Sequence, residues 1–97
     1  MELISAIATA QGAGGVSIIR VSGEGAFSLA RNMFSHRGEF EPYRMYPGRI
    51  DCGTFSDFGM CVCFRAPHSF TGEDVAEFHC HGGIEIPRAV YRRTLEL

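Results

Sequence analysis

The sequence predicts a small α+β domain with the element order β-β-α-β-β-β-α, and three observations carry this prediction. Short stretches rich in β-branched or alternating apolar residues, at Val16–Ser22, Met60–Phe64 and Val75–Cys80, have the period of strands. Two further stretches place apolar residues three and four apart, the period of amphipathic helices. The length of 97 residues is about two-thirds of a typical domain of roughly 150 residues. Such a chain holds one small core. Leu, Ile, Val and Phe make up about a quarter of it and hydrophobic residues 45%, which is the composition of a folding sequence.

The elements follow in order. Leu3 to Thr9 is a short apolar run, Gln11-Gly12-Ala13-Gly14-Gly15 reads as a permissive turn, and Val16 to Ser22 as the second strand. Ala26, Phe27, Ala30, Met33 and Phe34 then define a helix with Ser22 as its N-cap. Ser35 to Tyr43 is polar, with Gly38 and Pro42, and reads as a surface loop. From Met45 to Phe55 a strand pattern is interrupted at Pro47-Gly48, and the proline argues for an edge position. Phe58-Gly59 reads as a turn into the strand Met60 to Phe64.

Ala66-Pro67-His68-Ser69 is a further turn. Thr71 and Asp74 have capping-box spacing, yet Val75 to Cys80 alternates strictly, so a strand is expected there. Val75, Glu77 and His79 then share one face. A final helix follows Gly82-Gly83, with Ile84, Pro87, Val90 and Tyr91 on one side and Pro87 in the first turn. It runs to Leu97 without a stop signal, so the chain reads as part of something longer.

Charge and composition exclude several function classes. The net charge is −2, with no basic patch suited to tight nucleic-acid binding by this chain alone. All nine basic residues are Arg, so neither a Walker A lysine nor a Schiff-base lysine exists here. No apolar stretch reaches membrane-spanning length, and Met1-Glu2-Leu3-Ile4 lacks the positive start of a secretory signal. A cytoplasmic chain without membrane contact is expected. Gly12 and Gly14 are followed by Ser17 where a dinucleotide loop needs glycine, so the phosphate-cradle motif is not met.

Cys52, Cys61, Cys63 and Cys80 are expected to be reduced, with Cys61 and Cys63 on one strand face lining the core as small hydrophobes. A zinc site with His79 and His81 is the weaker reading, because Cys-x-Cys inside an apolar run supplies no metal knuckle. No metal site and no catalytic residue are assigned. His68, His79 and His81 lack a nucleophile or acid at telling spacing, which leaves them structural or exposed.

Two charges interrupt apolar strands. Arg20 shares a face with Val16 and Ile18, and Glu77 lies between Ala76 and Phe78. A buried guanidinium cannot shed its charge and needs partners. Two readings are open. Arg20 and Glu77 form a structural ion pair or reach water at an edge, or they form a ligand clamp in which the carboxylate accepts paired N–H groups from an amidine-like heterocycle.

The segments Ile7 to Gly23 and Ala66 to Gly83, with Tyr46-Pro47-Gly48-Arg49-Ile50 between them, resemble the N-terminal domain of the MnmE (TrmE) family of tRNA modification GTPases. The resemblance runs over essentially the whole chain. It implies a single domain over residues 1–97, similar to half of the duplicated folate-binding domain of the glycine-cleavage T protein and pairing as a homodimer. It also implies a tetrahydrofolate one-carbon ligand, formyl-tetrahydrofolate or a related form such as methylene-tetrahydrofolate. The family's folate-contacting strand Arg and the second Glu of its Gly-Glu-Asp string fall on Arg20 and Glu77.

The full-length family member implies more. It works with the flavoprotein MnmG on the wobble uridine of tRNA, and it binds GTP, magnesium and potassium on a GTPase domain outside these residues. A downstream folate-contacting Lys, a helical domain and a C-terminal Cys motif also lie outside them. Where the family has Pro-Pro-Gly-Arg-Gly-Gly, this chain has Ala10-Gln11-Gly12-Ala13-Gly14-Gly15, so a loop Arg is missing. The alternative function is a dimerisation module in which Arg20 and Glu77 are only an ion pair, with Phe55, Phe58 and Phe70 as interface candidates.

Overall fold

The computed structural model describes residues 3–9 and 12–97, with the backbone alone for residues 12–14. Seven elements occur in the expected order: β1 (Ile4–Ile7), β2 (Gly12–Ser22), α1 (Ala26–Met33), β3 (Tyr46–Asp51), β4 (Ser56–Phe64), β5 (Val75–Gly83) and α2 (Glu85–Glu96). The strands form one antiparallel sheet in the order β1-β2-β5-β4-β3. Pro47 therefore sits on an edge strand, where a missing N–H breaks no central ladder.

Strand alternation sorts the side chains into two layers. Ile19 and Val21 of β2, Cys61 and Cys63 of β4, and Ala76, Phe78 and Cys80 of β5 point to one face. There they pack with Phe27, Leu29, Ala30 and Met33 of α1 and Val90 of α2 in a single core. Both helices thus cover the same side of the sheet. The opposite face carries Val16, Ile18 and Arg20 of β2, Phe58, Met60 and Val62 of β4, and Glu77 and His79 of β5. Among the described residues no helix covers it.

Several local expectations are corrected. The glycine-rich turn is largely strand: β2 begins at Gly12, with a register irregularity between Gly12 and Val16, while Ala10 and Gln11 lie outside the described residues. Ser22 ends β2 and does not cap α1. Gly25, at φ +96°, occupies the cap position with no side-chain bond, and its missing Cβ permits that left-handed backbone. Ser22 Oγ instead shares a 2.7 Å hydrogen bond with Thr71 Oγ1. Thr71 also accepts from the Glu73 N–H at 3.3 Å, so the apparent capping box is a loop contact.

Phe58-Gly59 is not a turn but the middle of β4. A Cβ on Gly59 would stand 2.1 Å from the His79 carbonyl oxygen, so the glycine lets β4 lie close against β5. Ile84 precedes α2 as its cap and is exposed, and Ile86 packs on the core in its place. Pro87 is buried in the first turn, as its spacing requires. The polar loop before β3 hides an anchor, Phe40, which packs edge-on against Tyr46. Tyr43 fastens the same loop across the sheet end: its N–H donates to the Cys63 carbonyl at 2.7 Å and its hydroxyl to the His68 carbonyl at 2.9 Å.

Candidate functional site

The β2–β5 register puts Arg20 directly opposite Glu77 on the helix-free face. Arg20 Nε donates to Glu77 Oε2 at 2.8 Å, and Nη2 lies 2.7 Å from the same oxygen. The other carboxylate oxygen, Oε1, accepts from His79 Nε2 at 3.1 Å. Glu77 is 5% exposed, whereas the Arg20 side chain keeps 30% of its surface. The two embedded charges form one group, with His79 as a third member.

Burial by itself pushes the Glu77 carboxyl up, but the hydrogen bonds from His79 and Arg20 and the charge of Arg20 outweigh it. Together they hold Glu77 below the usual carboxylate range. A carboxylate oxygen offers two accepting positions. Arg20 Nε–H fills one on Oε2 and His79 fills one on Oε1, which leaves one position open on each oxygen. The guanidinium keeps further N–H groups without a protein acceptor among the described residues. The group can therefore take both a donor and an acceptor from a ligand.

The segment between β4 and β5 folds back over this group. Phe70, 66% exposed, lays its ring 4.3 Å from the Arg20 guanidinium carbon and meets Phe64 edge-on at 5.3 Å. Arg65 holds the base of the segment through Asp74 at 3.2 Å. His79 also lines an open hollow of about 240 Å³ with Val16, Phe58, Met60 and His81. His81 is held apart from Glu77: its backbone N–H and Nδ1 donate to Asp57 at 2.9 and 2.8 Å.

A comparison with protein-family models matches residues 3–97 to the family described as GTP-binding protein TrmE N-terminus. The chain belongs to the TrmE N-terminal family. Relatives named tRNA modification GTPase MnmE include that of Geobacter sulfurreducens, 46% identical over 101 residues and 99% of this chain. Those of Laribacter hongkongensis and Bordetella parapertussis are 43% and 41% identical over 99% and 96% of it. The chain spans about a fifth of the length of these TrmE relatives, covering 21% of the Geobacter protein.

The structure brings Arg20 and Glu77 together and divides the other candidates. Phe58 and Phe70 lie on the helix-free side, but Phe55 lines a hollow beside α2 with Ala89 and Arg92. His68 is exposed in the β4–β5 loop. By alternation His79 and His81 point away from Cys80, and among the described residues no three His, Cys, Asp or Glu side chains converge as a metal cluster would. The four cysteines are buried free thiols. Sequence reasoning placed His79 on the Glu77 face without pairing the two. Phe70 over Arg20 had no local signal, since it depends on how the loop folds back.

Proposed function

We propose that this chain binds a tetrahydrofolate one-carbon derivative, formyl- or methylene-tetrahydrofolate, through Arg20 and Glu77. The observation that carries this reading is the Glu77 carboxylate: buried, kept ionised, and with one accepting position open on each oxygen. That chemistry suits the ring N–H and exocyclic amine of a pterin, while the free N–H groups of Arg20 suit an oxygen of the same ligand. The folate, when bound, supplies the one-carbon unit. This chain's part is to bind and orient it.

The chain pairs in this reading with a second copy through its helix-free sheet face, as a half-unit similar to half of the glycine-cleavage T protein folate domain. Exposed Ile4, Val16 and Phe58 on that face support pairing. So does the size of the hollow, which at about 240 Å³ falls below the roughly 300–1,000 Å³ of complete small-molecule pockets. Residues 1–97 are then the N-terminal domain of a cytoplasmic GTPase that modifies the wobble uridine of tRNA with the flavoprotein MnmG. GTP, magnesium and potassium belong to its GTPase domain. The relatives' name, tRNA modification GTPase MnmE, supports the tRNA-modification and GTPase parts of this reading.

Calorimetric titration of formyl-tetrahydrofolate into the chain and into Glu77→Gln tests the ligand. Saturable binding that weakens more than about tenfold in the variant, about 1.4 kcal/mol, supports it. A second reading rests on the closed Arg20–Glu77 pair itself, which already satisfies the buried carboxylate: a dimerisation module in which the pair is structural. A folded, self-paired chain that binds no folate favours that reading.

A further inference from the structure

The Arg20 guanidinium is joined to the neighbouring strand at one corner. Its Nε–H donates to Glu77 Oε2 at 2.8 Å and Nη2 lies against the same oxygen, while 30% of the side chain's surface stays exposed. Contacts to one oxygen fix a point and leave the plane free to swing about it, because a two-oxygen fork is what holds a guanidinium and a carboxylate coplanar. The far N–H edge needs a further restraint to face a fixed direction.

Phe70 supplies it. Its ring lies 4.3 Å from the guanidinium carbon, inside the roughly 6 Å at which an aromatic face attracts a cation. Burial does not explain its place, since the side chain is 66% exposed. Two restraints hold it there. Thr71, the next residue, shares a 2.7 Å bond with Ser22, which lies two residues beyond Arg20 on the same face of β2. On the other side Phe64 meets the ring edge-on at 5.3 Å, and Tyr43 meets Phe64 at 5.8 Å. Tyr43 has a left-handed backbone, φ +66°, unusual for a bulky residue, and its hydroxyl donates to the His68 carbonyl in the same loop. The loop is thus tied to the strand that carries Arg20, where the ring covers the guanidinium.

We propose that Phe70 is a positioning residue: it fixes the plane of the Arg20 guanidinium, so that the free N–H edge is preset for an oxygen of the ligand. This rests on the reading in which Arg20 and Glu77 receive the folate. Arginine stays charged at every relevant pH, so its attraction to the ring is permanent. The guanidinium is then ordered during folding, and less freedom is lost when the ligand binds.

The test is calorimetric titration of formyl-tetrahydrofolate into the wild-type chain, Phe70→Leu, Phe70→Tyr, Arg20→Met and the double variant of Arg20→Met with Phe70→Leu, with a urea midpoint beside each affinity. Phe70→Leu removes the ring but keeps an apolar side chain, so binding should weaken about three- to tenfold while the urea midpoint stays near the wild-type value. Phe70→Tyr keeps the ring face and should bind as wild type does. Adding Phe70→Leu to Arg20→Met should cause no further loss, because the ring acts through the guanidinium. Wild-type affinity in Phe70→Leu, or an undiminished loss on adding it to Arg20→Met, overturns the proposal and leaves the folate reading standing. Where Arg20→Met binds too weakly to measure, hydrogen exchange at Arg20 Nε in the ligand-free chain decides. Magnetic resonance should show it faster in Phe70→Leu than in wild type, and equal rates overturn the proposal. No saturable binding by the folded wild-type chain overturns both readings. If Phe70→Leu does not fold by circular dichroism, Phe70→Met takes its place.

Discussion

Arg20 and Glu77 stand opposite each other on β2 and β5, and both guanidinium contacts fall on a single carboxylate oxygen, Oε2. The usual two-oxygen fork would have used up the carboxylate from one side. Here Oε1 is left to His79 and to whatever approaches the helix-free face. The pair is thus a fold contact and a recognition surface at once, and its two roles can be measured separately.

The fold contact is measured by a double-mutant cycle with Arg20→Met and Glu77→Gln in urea denaturation. The contact is charge-assisted and buried on the Glu77 side, so a coupling of about 1–3 kcal/mol is expected. A coupling near zero would show that solvent around Arg20 screens the pair.

Stability should fall in acid. Glu77 has its folded-state carboxyl lowered, with burial opposed and outweighed by His79 and Arg20. Asp51 is lowered by the Gly53 N–H and, against burial, by Arg93. Groups depressed on folding contribute stability that is complete above their unfolded values, near 4.5 and 3.8, and that disappears as pH drops through the folded ones. Urea midpoints should be insensitive to these two groups from neutrality to about pH 5.5 and drop below it. Glu77→Gln should show a smaller drop.

Gly59→Ala should cost about 3 kcal/mol or more, because the new methyl meets the His79 carbonyl on the adjacent strand and not a yielding side chain. The thermal midpoint checks this. A variant as stable as wild type would mean that β4 and β5 can separate locally without loss.

The native thiols should resist alkylation. Burial pushes Cys52 up to about 11 and Cys80 up to about 12, while contact with Cys63, followed by burial, raises Cys61 further. Iodoacetamide at about pH 8, read by mass spectrometry, should label the cysteines only after urea is added, since the thiolate is the reactive form.

Self-pairing is tested by mass in solution. The wild-type chain, 10.7 kDa, should scatter light as a species of twice that mass. Phe58→Glu, which puts a charge at a 61% exposed position of the helix-free face, should return it to the monomer. Phe55→Glu lies beside α2 and should leave the mass unchanged.

Local chemistry made much of this legible in the sequence. The period of two in Val75–Cys80 and the period of 3.6 after Ser22 correspond to β5 and α1, and the placement of Pro47 on an edge and Pro87 in a first turn follows from the missing N–H. Arg20 and Glu77 stood out because a charge in an apolar strand needs an explanation wherever it lies. The misassigned positions share another cause. Ser22 and Thr71 look like caps alone but satisfy each other although they are 49 positions apart, and Phe58-Gly59 looks like a turn until the close passage of β5 is known.

The sequence by itself determined the element order, the core-facing cysteines and the two charges that require partners, because propensity, period and desolvation act over a few neighbouring residues. Only the tertiary structure decided that Arg20 and Glu77 are each other's partners, that His79 joins them, and that Phe70 lies over the guanidinium. Those facts depend on the β2–β5 register and on one returning loop. Both are products of long-range packing, in which residues 57 positions apart along the chain come within hydrogen-bonding distance.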